Sequence, residues 1–182
     1  MKQLALALAV TSAFALAVPS TPAVASVETA EAKATAASAA DIARQDMIEA
    51  FGESDLKAGK YLWRDVDADG APRVIISLSD QLAYLYRGNT LVAVAATSTG
   101  KESTPTPTGI FEVLQKKTMH HSRKYDNAPM PFMQRIDRFG IALHAGHNPG
   151  RPASHGCIRL PSKFAKKLYQ VTDLGTTVLI GA

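Results

Sequence analysis

The sequence predicts a mostly-β domain with one helix in its C-terminal half. Three observations predict it. From Arg73 onward, apolar residues fall in short runs rich in Val, Ile, Leu and Tyr. Turn residues such as Asp80-Gln81 and Arg87-Gly88-Asn89 separate these runs. Within that region a helical period surfaces only at "SKFAKKLYQV", where Phe164, Leu168 and Val171 recur on or near one face.

Taken in order, the chain opens with "MKQLALALAVTSAFALAVPSTPAVA", a short basic start followed by an apolar run from Leu4 to Val18. Pro19 and Pro22 break the run, and Ala23-Val24-Ala25 forms a small-x-small cleavage pattern, so residues 1–25 are expected to be a signal peptide. The run is shorter than the roughly 18–20 apolar residues that span a bilayer, and no cysteine stands near the cleavage site to carry a lipid. The expectation is export to the periplasm and a mature protein from Ser26 with no membrane span.

Residues 26–60 are expected to form an Ala-rich linker, with "DIARQDMIEAFG" as a short helix stopping at Gly52, because small side chains supply little bulk for a core. "DVDADG" begins like a calcium loop, but Ile76 stands where that loop needs a glutamate, so a polar turn is the better expectation. The folded domain is then expected over 61–182. Its strands are "RVIISLS", "LAYLYR", "TLVAVAAT", "IFEVLQKK" after a Thr/Pro/Gly loop, a strand-like end to "TMHHSRKYDNAPMPFMQRID", then "GIALH" and, after the helix, "TTVLI". No internal repeat interrupts this pattern.

The formal charge is +4, and removal of Lys2 with the leader makes it +3. The basic residues are interspersed with acidic ones, which argues against nucleic acid and permits weak attraction to an anionic wall polymer. Cys157 is the only cysteine, so the exported chain has no internal disulfide and must be held by core burial.

The lone thiol therefore needs a reason. If residues 155–158 are extended, His155 and Cys157 share a face, and an imidazole there can help form the thiolate. His144, ending "GIALH", is a second base that the fold could bring near, and Gly156 and Cys157 could aim backbone amides at an oxyanion. Three other readings compete. Cys157 could be a buried inert side chain, His144, His147, His155 and Cys157 could be zinc ligands, or each histidine could simply be satisfied by loop hydrogen bonds.

"IALHAGHNPGRPASHGCIRLP" resembles the signature of the L,D-transpeptidases of bacterial cell walls, the YkuD family, which falls here on His144, Ser154, His155, Gly156, Cys157, Ile158 and Arg159. "RVIISLSDQLAYLYRG", "STPTPTGIFEV" and "APMPFMQRI" are similar to that family's opening hairpin, its Pro-Thr-Pro loop and its lid, so the resemblance covers Arg73 to Ile180. Arg159 stands where many members have Asn.

The resemblance implies a β-sandwich with a lid, acting on peptidoglycan stem peptides without cofactor or metal. Cys157 would attack the carbonyl of the donor's third residue and release D-alanine, with His144 as base oriented by the Ala145 carbonyl. His155 would support the thiolate, and Gly156 and Cys157 would supply the oxyanion hole. Ser154 and Arg159 would bind a substrate carboxylate, unless the Ser154 hydroxyl serves a turn. Met130, Pro131, Phe132 and Met133 would wall the pocket, or else be core. The acceptor could be a stem-peptide amine, a free D-amino acid, an outer-membrane lipoprotein lysine or water. A monomer is expected.

Overall fold

The computed structural model describes residues 26–182, and the expected signal peptide lies outside the described residues. In chain order the elements are β1 (Ser26–Val27), α1 (Ala30–Phe51), β2 (Tyr61–Trp63), β3 (Pro72–Ser77), β4 (Leu82–Arg87), β5 (Thr90–Ala96), β6 (Gly109–Glu112), β7 (Gln115–His121), β8 (Pro129–Arg135), β9 (Ala142–Ala145), β10 (Ile158–Leu160), α2 (Ser162–Val171) and β11 (Thr177–Gly181). They form a seven-stranded sheet ordered β1-β6-β11-β3-β4-β5-β2 and a four-stranded sheet ordered β10-β9-β8-β7. The β11–β3 and β10–β9 pairs are parallel; the other pairs are antiparallel.

Strand alternation gives the large sheet two apolar faces, and each is covered. Val74, Ile76, Leu85 and Ile180 pack against Leu143, Ile158 and Leu160 of the small sheet and against Phe164 and Leu168 of α2. Ile75, Tyr84, Tyr86, Val94 and Leu179 face the other way, onto α1. The result is a sandwich of two sheets with a helix across the back.

That helix corrects the linker expectation for residues 26–60. Ala32, Ala36, Ala40, Ala43 and Met47 form a buried stripe at helical spacing. The small side chains let the helix lie almost on the sheet: a Cβ added at Gly181 would come within 2.7 Å of the Ala36 carbonyl. Thr29 caps the start by accepting from the Ala32 amide, and Gly52 ends the helix in a left-handed turn, as its sequence position suggests. The bulk missing from α1 comes from the tyrosines opposite it. With β1 also paired to β6, the folded unit begins at Ser26 rather than at 61, and it contains two helices rather than one.

A second correction concerns "IFEVLQKK". The run divides between sheets, because the Val113 amide bonds Thr176 beside the large sheet while the next amide, of Leu114, bonds Arg135 of the small one. Strand β7 then continues through His121, into the stretch expected to be irregular. No helix among the described residues is long and apolar enough to cross a membrane.

Candidate active site

Strands β9 and β10 lie side by side with Ile158 opposite Leu143 and Arg159 opposite His144. Leu143, Ala145, Ile158 and Leu160 turn into the sandwich core. Alternation sends His144 and Arg159 to the opposite face, and Cys157, one residue before β10, falls on that same side. His144, Cys157 and Arg159 there line a cavity of about 950 Å³ with Met130 and Pro131.

His144 is 7% exposed, and its Nδ1 lies 2.8 Å from the carbonyl oxygen of Ala145. A carbonyl can only accept, so Nδ1 carries the proton and Nε2 is left with a free lone pair. Burial holds the imidazole pKa below its ordinary value; the Ala145 carbonyl opposes this, and the charges of Arg159 and His120 reinforce it. Burial likewise pushes the Cys157 thiol up. The Ala142 amide pulls it down, Asp137 raises it and Arg159 lowers it. The thiol's own hydrogen bond is a long one, 3.8 Å to the Gly140 carbonyl. Both shifts favour a neutral imidazole and a neutral thiol at rest.

Ahead of Cys157 the chain turns, so the condition that residues 155–158 are extended is not met. Gly156 has φ 108, and a Cβ there would stand 2.5 Å from Ile141 Cδ1, so only glycine fits. The bend leaves His155 exposed, still on the lining of the cavity that holds Cys157. There its ring stacks on Tyr125, centroids 4.3 Å apart, at the tip of the β7–β8 hairpin.

Hydrogen bonds decide between the two readings of Ser154 and correct the one of Gly156. The buried Ser154 hydroxyl donates to the Cys157 carbonyl at 2.6 Å and accepts from the Gly156 amide at 3.0 Å. It is consumed in holding the turn, and so is the Gly156 amide, which is therefore unavailable to an oxyanion. The Cys157 amide has no hydrogen bond among the described residues. Its direction is set by a residue that sequence reasoning missed: Thr106 Oγ1 donates to the Gly156 carbonyl at 2.7 Å. In a trans peptide the C=O and the following N–H point opposite ways, so Thr106 turns the Cys157 N–H away from itself. The only signal of Thr106 in the sequence was its place in "STPTPTG".

The segment expected to be a lid is β8, and the turn before it supplies Arg123, Lys124 and Tyr125 to the cavity lining. Met130 and Met133 both pack beside Cys157, which strict alternation would forbid. Phe132 lies between them with φ 56, a strained value for a bulky side chain, and breaks the alternation. Phe132 itself does not wall the cavity. Its ring lies 6.0 Å from Tyr169 of α2, on the other side of the sheet.

His147 also lines the cavity, but among the described residues no three His, Cys, Asp or Glu side chains are placed to share a metal ion, which removes the geometric basis of the zinc reading.

Comparison with known proteins bears on this arrangement. The profile of the YkuD family, described as the L,D-transpeptidase catalytic domain, matches residues 71–180. A Bacillus licheniformis protein named as an L,D-transpeptidase YkuD is 27% identical over 114 residues, which are 59% of this chain and 64% of that one. The chain thus spans somewhat under two thirds of that relative. An L,D-transpeptidase from Stackebrandtia nassauensis has a similar structure, with a TM-score of 0.58 and 24% identity over 74% of this chain and 64% of that one. L,D-transpeptidase 3 of Mycobacterium tuberculosis, in complex with a faropenem-derived adduct, gives a TM-score of 0.56 at 21% identity, covering 62% of this chain and 60% of that one. At these identities the two structures establish a shared fold.

Proposed function

The chain belongs to the L,D-transpeptidase catalytic-domain family, and from that premise we propose that it is a peptidoglycan transpeptidase with Cys157 as nucleophile and His144 as base. The observation that carries this reading is the bond from His144 Nδ1 to the Ala145 carbonyl, in the same cavity as the thiol. It leaves Nε2 able to accept the Sγ proton as sulfur attacks the carbonyl of the third residue of a stem tetrapeptide. The Cys157 amide faces the developing oxyanion. Collapse of the tetrahedral species breaks the peptide bond, the His144 proton passes to the departing amine, and D-alanine leaves a thioester on Cys157. An acceptor amine then forms the new amide and restores the thiol, giving a 3-3 cross-link when that amine belongs to another stem.

The apolar leader of the sequence supports an exported protein working on the cell wall. Water, a free D-amino acid or a lipoprotein lysine as acceptor would use the same first half-reaction. Incubation of the mature protein with tetrapeptide muropeptides is expected to release D-alanine and leave an acyl mass on Cys157. Release of D-alanine at the same rate by the Cys157→Ala variant would overturn the assignment.

A further inference from the structure

Beside the Cys157 cavity lies a second groove of about 490 Å³, and the two linings merge at His120, Arg123 and Gly140. The groove's charge has one sign. Lys117, Arg123, Arg135 and Arg138 line it, and among the described residues no Asp or Glu does. Pairing of β7 with β8 explains the crowding. Gln115 stands opposite Arg135 and Lys117 opposite Met133, so Lys117 and Arg135 are diagonal neighbours on one face.

Among the described residues no acidic side chain pairs with these cations. Asp137, the carboxylate beside them in sequence, is turned inward, where its Oδ1 accepts from the amides of Phe139, Gly140 and Ile141. Among the described residues the ion pair that forms is Arg44–Asp80, which involves none of them. Arg138 instead lies 4.8 Å from the centroid of the exposed Phe139 ring, and Arg135 donates to the Asp137 backbone carbonyl at 2.6 Å. His120, at the junction of the two spaces, is held below its ordinary pKa first by burial and then by Lys117 and Arg123. Clustered like charges with no internal partner are costly in the free protein and become favourable when an anion arrives.

Gly140 lines both spaces, and its carbonyl is the thiol's hydrogen-bond partner, so the groove adjoins the Cys157 cavity at the thiol's own contact. We propose that this groove is the acceptor subsite and that it selects an amine carried on the same unit as a free carboxylate. The inference rests on the thioester reading of Cys157. The carboxylate would lie among Lys117, Arg135 and Arg138, with the amine directed at the acyl carbon. The same cations disfavour the ammonium form, and only the neutral amine can attack. Transfer then forms the C–N bond, breaks the C–Sγ bond and returns the amine's proton to sulfur. A lysine on a protein chain has no adjacent carboxylate and meets the groove as a like charge. The chemistry fits two sources, the D-centre of a stem peptide and a free D-amino acid.

The test pairs acceptors that differ only in that carboxylate. One pair is a diaminopimelate stem tripeptide and its D-centre amide; the other is D-methionine and D-methioninamide. Acylation of Cys157 by a tetrapeptide donor is read first, by intact mass. Transfer from the acylated protein is expected to favour each acid over its amide about tenfold in KM, the size of two partly screened charge contacts. In the Lys117→Gln/Arg138→Gln variant the preference should fall to within about twofold, and added salt should erode it in the wild type. Preference in one pair alone names the source. An acylated protein indifferent to the carboxylate, or a preference that survives in the double variant, overturns the groove alone. Absence of the acyl mass overturns the Cys157 reading, and this inference with it.

Discussion

The face of the large sheet beneath α1 and the cavity face of the small sheet are built from opposite materials. Under α1, alanines and Met47 close on Ile75, Tyr84, Tyr86 and Leu91; the Tyr86 hydroxyl donates to Asp46 and Arg44 pairs with Asp80 at the margin, while the Tyr84 hydroxyl is buried without a partner among the described residues. Around the cavity stand a thiol, histidines and uncompensated cations, and of the residues other than glycine with positive φ, Asp126, Asn127 and Phe132 all belong to the β7–β8 hairpin. Strain and unneutralised charge sit where substrate would bind, while apolar burial on the far side offsets their cost. The molecule separates what holds it from what it reacts with.

Removing α1 is the harshest way to break that separation. Deletion of residues 28–52 exposes the Ile75, Tyr84, Leu91 and Leu179 face, and the variant is expected to show neither a cooperative thermal transition nor acylation of Cys157. The milder Met47→Ala removes a fully buried side chain and should cost about 2–5 kcal/mol of stability by chemical denaturation. The acylation rate per folded molecule should be unaltered by it. A folded, active deletion variant would mean that α1 is cover without structural consequence.

On the other face, His144→Ala should leave the unfolding midpoint close to wild type while slowing acylation by about 10²–10⁴-fold, the range for loss of a positioned base. The directions of the two pKa shifts sharpen this. A base with a lowered pKa keeps its lone pair at lower pH, so the acid limb of the wild-type profile should fall below the ordinary 6.5 of histidine. A thiol with a raised pKa should give an ultraviolet thiolate transition whose midpoint lies above the ordinary thiol value. Thiolate absorbance at neutral pH would replace the neutral pair with an ion pair.

What the sequence disclosed follows the same division. Strands β3, β4, β5 and β11 and helix α2 were legible because their own residues alternate or recur, while His144 and Cys157 were singled out because their segment resembles a family signature. Helix α1 was misread because bulk was sought in the helix, whereas the opposing tyrosines hold it. The division of "IFEVLQKK" was hidden because its apolar content runs on while its hydrogen-bond partners change. Ser154 was offered either a substrate carboxylate or a turn, and the direction of its hydrogen bonds selects the turn and occupies the Gly156 amide that the motif offered to an oxyanion. Phe132 was given to the pocket wall by the resemblance of its segment to a lid, whereas its left-handed backbone turns it to the other side of the sheet, and nothing local in the sequence ties Tyr125 to His155.

The smallest expected effect tests how the cavity face is tied to the rest of the molecule. The Thr106 hydroxyl accepts from the Gly100 amide at 2.8 Å and donates to the Gly156 carbonyl, linking the "STPTPTG" loop to the peptide plane that ends in the Cys157 amide. Thr106→Val keeps the shape, removes both bonds and frees that plane to rotate. If the Cys157 amide receives the oxyanion, the saturated acylation rate should fall by about 10–100-fold while donor affinity changes little, because the loss appears only as charge develops on oxygen. Thr106→Ser restores the hydroxyl and should recover most of the rate. A Val variant as slow as its loss of stability alone explains, or a Ser variant no faster than Val, would reduce Thr106 to a packing residue and leave the Cys157 amide to be oriented by the Ser154 turn alone.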